Sequence, residues 1–473
     1  MAMNKAEALA KSCRGAMIAA AGCGKTYLIG MAIAKYGQGR ELVLTHTHAG
    51  VDALRRRLTS FGVSAKACHV DTIAGWALRL AVSFPRTSAL PTSKPRSGDE
   101  YNAVYVAVAS LLGLRPIREI VRASYTGVYV DEYQDCTVKQ HALVLALAKI
   151  LPCRIVGDPL QGIFDFGNNT VIDWESHVAQ HFETIEGPTI PWRWKETNPD
   201  LGEWLLEVRK RLQANEKINL SNAPIQWIEA GSNNVTQDKQ VTACFDAARS
   251  HDDSVIAIHR WPNQCHSVAS RLKGLFSCVE AIDEKDLYQF AEKLDSTEGC
   301  SRAIALLDFA KKCMTKISTE LRSTRKAFSE ERTPKGRKHR KQIESLIAVA
   351  QDRNYRSMVV ALESFKSIPE AKVYRRELLR EMIKTILTVE MGEAENLEEA
   401  AWIVRDRTRQ IGRRLPRCAV GTTLLLKGLE FDHVVVLDAD AYNSRNLYVA
   451  LTRGSKSLAI ISRSQILKPK EDS

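Results

Sequence analysis

Residues 16–35 read AMIAAAGCGKTYLIGMAIAK. The apolar run 16–20 fits a buried strand, and the apolar-periodic stretch 27–34 fits a helix. Between them, Ala19-Ala20-Ala21-Gly22-Cys23-Gly24-Lys25-Thr26 has the Walker A spacing G-x-x-x-x-G-K-[ST], with Ala19 in place of the first glycine. Gly22 and Gly24 permit a tight turn whose successive N–H groups face an anion. The helix that follows presents its positive end to the same anion. Lys25 is then placed for the β- and γ-phosphates and Thr26 for Mg²⁺. A bare glycine turn joining strand to helix is the alternative, and the downstream segments weigh against it.

Residues 42–45 (LVLT) predict a second buried strand, followed by a helix over 51–58. Val70-Asp71-Thr72-Ile73-Ala74-Gly75-Trp76 leads into another helical pattern. Residues 83–98, broken by Pro85, Pro91 and Pro95, predict a loop or domain edge, and a short helix is expected at about 99–112. The run 125–130 then ends in Asp131-Glu132-Tyr133-Gln134-Asp135. Two acids at a strand end, in this order after a Walker A stretch, fit a Walker B site. Asp131 would hold Mg²⁺ through water and Glu132 would polarise the attacking water. Alone, such a pair also serves as a helix N-cap.

A further strand at 154–156 ends in Gly157-Asp158-Pro159-Leu160-Gln161-Gly162-Ile163-Phe164-Asp165-Phe166. Pro191-Trp192-Arg193-Trp194 and a helix over about 199–212 follow, then strands at 225–228 and 255–258. Residues 275–415 show helical periodicity and little strand signal; Thr333-Pro334-Lys335-Gly336 breaks it, which predicts a helical hairpin with a basic tip. The α/β pattern resumes at Gly421, with strands at 434–437 and 458–461.

A chain of 473 residues, 45% hydrophobic and 26% charged, has room for several globular domains. No run of 18 apolar residues suggests a membrane span. Eleven scattered cysteines without a C-x-x-C pair, and no secretory leader pattern, predict reduced thiols in a cytoplasmic protein. The formal charge of +12 predicts a polyanionic partner. Between 311 and 341, twelve Lys/Arg face three Glu, and Arg405, Arg407, Arg409, Arg413, Arg414 and Arg417 form a second cluster. A solvated helix face is the other reading of such runs.

In chain order these stretches resemble the UvrD/Rep/PcrA family of superfamily 1 helicases. AAAGCGKT resembles motif I, LTHTH motif Ia, VDEYQD motif II, VGDPLQGIFDF motif III, WRW motif IV, LLLKGLEF motif V and YVALTRG motif VI. The resemblance implies two RecA-like P-loop NTPase domains. Domain 1A would span 1–190 with a small 1B insertion at about 81–120. Domain 2A would comprise 191–274 and 416–473, with a helical 2B insertion over 275–415.

It implies ATP and Mg²⁺ held by Ala21, Gly22, Cys23, Gly24, Lys25, Thr26, Tyr27 and Asp131, with Glu430 at the ribose. Glu132, Gln161, Arg193 and Arg453 would carry catalysis, the two arginines reaching the γ-phosphate from domain 2A. Single-stranded or partly duplex DNA would meet Thr47, His48, Thr72, Phe164, Phe166, Trp192 and Trp194, although each of these aromatics also fits a core position. The activity implied is ATP-driven movement on single-stranded DNA, 3′ to 5′.

The chain departs from the family pattern in places. No glutamine upstream of Ala19 is placed to read adenine, Ala74 and Leu424 stand where the family has histidine, and Asp165 where it has arginine. Short family members include helicase-like subunits of bacterial anti-phage systems such as Gabija, and they imply an alternative. In it the chain is a DNA- or nucleotide-sensing regulatory ATPase that reports to a partner nuclease.

Overall fold

The computed structural model describes residues 2–90, 92, 95, 97–164, 170–250, 252–281, 285–351, 354–411 and 415–470. Pro91, Asp165, Phe166, Arg413, Arg414 and the side chain of Arg409, on which expectations above fall, lie outside these described residues. The chain divides into two compact units. One is Met1–Pro224 with Tyr442–Lys456 and Lys468–Ser473; the other is Ile225–Ala441 with Ser457–Leu467.

The first unit is built on a six-stranded sheet of β1 (Arg14–Ile18), β2 (Glu41–Thr45), β3 (Cys68–Thr72), β4 (Gly127–Val130), β5 (Cys153–Gly157) and β6 (Glu183–Glu186), in the order β3-β2-β4-β5-β1-β6. Every pairing is parallel. Strands β2, β4 and β5 are buried along their whole length, which explains why they read as short continuous apolar runs. Strand β3 (CHVDT) and the exposed edge strand β6 (ETIE) lack such a run and are not foreseen in the sequence. Nor is the helix Arg115–Ser124, which opens with Pro116 in its first turn.

The helices Ile73–Ser83, Gly98–Leu111 and Arg115–Ser124 share one hydrophobic core with β2 and β4. Ile73, Trp76, Val104, Val108, Ile117 and Val121 meet Leu42, Leu44, Val128 and Val130 there.

The second unit is built on β7 (Gln226–Glu229), β8 (Val255–Ile258), β9 (Ser277–Cys278), β10 (Cys418–Gly421), β11 (Phe431–Val436) and β12 (Gly454–Ser462, in this unit from Ser457), in the order β9-β10-β8-β11-β12-β7. Strand β8 runs parallel to both its neighbours. The architecture is therefore two RecA-like α/β domains. Between β9 and β10 the chain forms helices from Lys285–Asp295 to Leu397–Ile411 around a core of their own, including Leu306, Phe309, Leu346, Phe365, Leu378 and Ile386.

The junction of these helices with β9 is ionic. Arg375, 1% exposed, donates from Nε and Nη2 to Glu280 at 2.8 and 2.6 Å and from Nη1 to Asp286 at 2.5 Å. Removing one partner of a buried pair strands the other charge. Arg375→Met should therefore lower stability by about 3–5 kcal/mol in urea unfolding, and adding Glu280→Gln should recover part of that loss.

Candidate nucleotide-binding site

Parallel register sets the carboxyl ends of β1, β5 and β4 side by side, pairing Ile18 with Gly157 and Ile155 with Val130. Three loops therefore start from one edge: Ala19–Gly24, Asp131–Gln134 and Asp158–Gln161. That edge is where open α/β sheets take ligands. The Ala19 N–H donates to the Gly157 carbonyl at 3.0 Å, fixing the first loop where it leaves the sheet.

Gly22 and Gly24 have φ of 70° and 87°, a left-handed backbone open to glycine at little cost. Gly22 has a second constraint, because a β-carbon there would lie 2.4 Å from the Trp194 ring. Helix Lys25–Tyr36 begins at once, so its free N–H groups face the loop. The Lys25 ammonium folds back on the Ala19 carbonyl at 3.3 Å, and the Ala21 N–H donates to the Tyr448 hydroxyl at 3.0 Å. Burial pushes the Tyr448 phenol well above its ordinary range, so that hydroxyl stays protonated. Burial also pushes the Cys23 thiol up to about 11, which leaves it a packing group and not a thiolate.

Thr26 Oγ1 donates to Asp131 Oδ2 at 3.2 Å, and Asp131 Oδ1 accepts from the Glu132 N–H at 2.9 Å. Burial, and then the neighbouring Glu132 carboxylate, raise Asp131 to about 7, while Lys25 opposes the shift. Glu132 has φ of 54°, unusual for a residue with a side chain. Its carboxylate accepts from Gln134 Nε2 at 2.5 Å, and Gln134 Oε1 accepts from the Asp158 N–H at 3.0 Å. Gln134 thereby ties the second loop to the third.

Asp158 is fully buried. Its Oδ1 accepts from Arg209 Nη2 at 2.9 Å and the Leu160 N–H at 3.3 Å, and its Oδ2 accepts from Gln161 Nε2 at 3.1 Å. Gln161 Oε1 accepts from Arg453 Nη2 at 3.3 Å. Arg453, 2% exposed, also donates from Nε to the Val449 carbonyl at 2.9 Å. Arg193 Nη1 donates to the Thr452 carbonyl at 2.6 Å. Arg193 and Arg453, expected from domain 2A, both belong to the compact unit that carries Lys25.

The structure thus brings Lys25, Thr26, Asp131, Glu132, Gln161 and Arg453 into one bonded neighbourhood. Gln134, Asp158 and Tyr448 were missed as site residues although they lie inside the quoted motifs; Arg209 lies in no motif. Glu430 is exposed and belongs to the second unit. Tyr27 packs edge-on against Phe61 at 5.0 Å between ring centroids.

The expected nucleic-acid residues divide. Thr47 and Thr72 cap helices His48–Ser60 and Ile73–Ser83, accepting from the Gly50 and Gly75 N–H groups at 3.1 and 2.9 Å. Thr47 and His48 are exposed, Thr72 is buried and Phe164 half-buried. Trp192 is 44% exposed, with the Lys195 ammonium 4.4 Å from its ring.

Trp194 corrects the expectation that it stacks on a base. It is 1% exposed, lies against Gly22 and donates its indole N–H to the Gly454 carbonyl at 2.6 Å. The physical reason is the adjacent glycine, whose bare backbone lets the ring close over it. Trp194→Phe leaves the Gly454 carbonyl without its donor and should lower stability by about 1–3 kcal/mol, read from the denaturant midpoint. Trp192→Phe should stay within about 0.5 kcal/mol of the parent in the same measurement.

Residues 93–174 match the family model of the UvrD/REP helicase N-terminal domain. The structure is similar to that titled "Complex structure of Arterivirus nonstructural protein 10 (helicase) with DNA", at 9% identity and TM-score 0.36, over 97% of this chain and 62% of that one. It is also similar to the crystal structure of Escherichia coli DEAH/RHA helicase HrpB, at 11% identity and TM-score 0.31, over 57% of this chain and 28% of that one. The chain thus spans less than two thirds of either protein's length. Comparison with curated proteins gives no match. The matched segment contains Asp131, Glu132, Asp158 and Gln161, and it supports a UvrD-like helicase.

Proposed function

We propose that the chain is an ATP-dependent superfamily 1 DNA helicase or translocase, moving 3′ to 5′ by family analogy. One observation carries the proposal: Lys25 with Thr26, Asp131 with Glu132, and Asp158 with Gln161 leave the carboxyl ends of three adjacent parallel strands, and Arg453 bonds to Gln161. The site suits Mg–ATP. Two glycines with positive φ form the cradle, and Thr26 and Asp131 offer the hard oxygen donors that Mg²⁺ prefers. Residues 21–27 and Asp131 would hold the nucleotide and its metal. When bound, the nucleotide supplies the phosphoryl group whose transfer to water releases free energy.

Lys25 neutralises phosphate charge, and Glu132 orients water and takes up its proton. Gln161, Arg193 and Arg453 stabilise charge at the transferring group, a contribution worth about 10³–10⁵ in rate for an arginine of this kind. Lys25→Ala and Glu132→Gln should each abolish single-strand-stimulated ATP turnover while melting temperature holds. A Glu132→Gln protein hydrolysing at the parental rate overturns the proposal. A regulatory ATPase paired with a nuclease would use the same residues, and strand displacement measured beside turnover separates the two readings.

The basic stretch supports a nucleic-acid partner, and its charges fall both at the expected tip and in a cleft beside it. At the expected tip, Lys338 pairs with Glu320 at 2.5 Å and Arg340 with Glu344 at 2.7 Å. A cleft of about 700 Å³ between helices Gly299–Cys313 and Arg322–Ser329 is lined by Lys311, Arg322, Arg325 and Lys326, with Asp308 as its one acid. Replacing Lys311 and Arg322 by Ala should weaken binding to all single-stranded sequences alike. It should also flatten the log–log salt dependence by about 0.7 per lost phosphate contact, measured by fluorescence anisotropy. An unchanged slope returns the cleft to solvent.

A further inference from the structure

We infer that Arg209 is a positioning residue that sets the orientation of the Gln161 carboxamide, an inference that rests on the ATPase reading above. Arg209 lies on helix Pro199–Gln213, outside every motif quoted from the sequence. Its guanidinium donates from Nη2 to Asp158 and from Nη1 to Gln213 Oε1, both at 2.9 Å. Its Nε is buried without a hydrogen-bond partner among the described residues, so the bonds from Nη1 and Nη2 carry its desolvation. The group that gains is Asp158, a carboxylate with no exposed surface and a cation at hydrogen-bond distance.

The two ends of a carboxamide are not equivalent, since one only donates and the other only accepts. Asp158 Oδ2, acceptor-only when ionised, holds the Gln161 NH₂ end at 3.1 Å. The Gln161 carbonyl oxygen is thereby turned to Arg453 Nη2 at 3.3 Å. A flipped amide would set oxygen against carboxylate and NH₂ against guanidinium, unfavourable at both ends. The Leu160 N–H, at 3.3 Å from Asp158 Oδ1, helps orient the same carboxylate. Among the described residues Arg209 is the cation that pairs with Asp158, joining two charged groups in one bond, so the carboxylate rotamer depends on it.

The path to Gln161 therefore runs from helix Pro199–Gln213 through Arg209 and Asp158. That helix is itself tied down at its start, where Asn198 caps it by accepting from the Leu201 N–H at 3.1 Å and donates to the Lys456 carbonyl at 2.9 Å.

A double-mutant cycle tests the assignment. Arg209→Gln should lower the single-strand-stimulated kcat about 10–100-fold, the usual cost of removing a group that orients a site residue. Nucleotide KM should stay within about threefold, and Arg209→Lys should restore much of the rate. In a Gln161→Ala background, adding Arg209→Gln should change kcat less than about twofold, because the group it orients is gone. A full loss in that background overturns the assignment, as does a parental kcat in Arg209→Gln alone. If Arg209→Gln does not fold, Arg209→Met, which keeps the apolar stem and leaves Asp158 in place, carries the same cycle.

The Gln161 side-chain amide resonances give a readout that needs no turnover. They should shift in Arg209→Gln and return in Arg209→Lys, and unmoved resonances overturn the assignment. Lys25→Ala is assayed alongside: turnover at the parental rate there removes the ATPase reading, and the amide resonances then decide the positioning role alone.

Discussion

The parallel ladder that joins β1 to β5 and β5 to β4 is the constraint on which the site depends. Ile18 stands opposite Gly157 and Ile155 opposite Val130, so residues far apart in sequence leave the sheet at one edge. Parallel pairing forbids a direct hairpin and obliges the chain to cross back over the sheet between strands. Those crossovers bury both faces and turn β2, β4 and β5 into short apolar runs. A one-residue slip of β5 would carry Asp158 and Gln161 away from Gln134, breaking the bond from the Asp158 N–H to Gln134 Oε1. The geometry of the candidate site is thus a consequence of sheet register before it is one of side-chain chemistry.

The same constraint explains what was legible in the sequence. The strands of the central sheet and the loops after them could be read because burial on both faces leaves one kind of pattern and because the loop after β1 carries glycine and lysine at Walker A spacing. Strand β3, with His69 and Asp71 in five residues, and the edge strand β6, with Glu183 and Glu186, face less apolar surroundings and carry no such signature. Trp192 and Trp194 could not be told apart: they flank Arg193, and only the position of Gly22 decides that one ring is covered and the other open. Arg209 was invisible for a deeper reason. An arginine in an amphipathic helix reads as surface, and its burial follows from where Asp158 lies in three dimensions.

Charge is concentrated under this edge of the sheet at a cost in desolvation. Asp131, Asp158 and Arg453 are nearly or wholly buried, and each is bonded to a polar neighbour. Such groups stabilise a fold poorly compared with apolar residues of like volume, yet the loss of one partner is severe. An arrangement of this kind is fixed more sharply than a hydrophobic one, because only one set of orientations satisfies every donor and acceptor. The bond from the Asp158 N–H to Gln134 Oε1 holds the second and third loops to a common geometry in that way, and the Arg209–Asp158 pair ties the third loop to helix Pro199–Gln213.

Segment Tyr442–Lys456 touches two of those loops at once. Tyr448, inside helix Ser444–Leu451, takes the N–H of Ala21, and Arg453, just past the helix end, bonds to Gln161. The helix packs between these contacts as one body, with Leu447, Val449 and Leu451 buried. The backbone of the Ala19–Gly24 loop and the Gln161 side chain are thus both bonded to residues of one short segment, Tyr442–Lys456. Asp158, held by Arg209 from a different helix, fixes the other end of that glutamine. Gln161 is clamped from two independent elements, and both must be in register before its oxygen points one way.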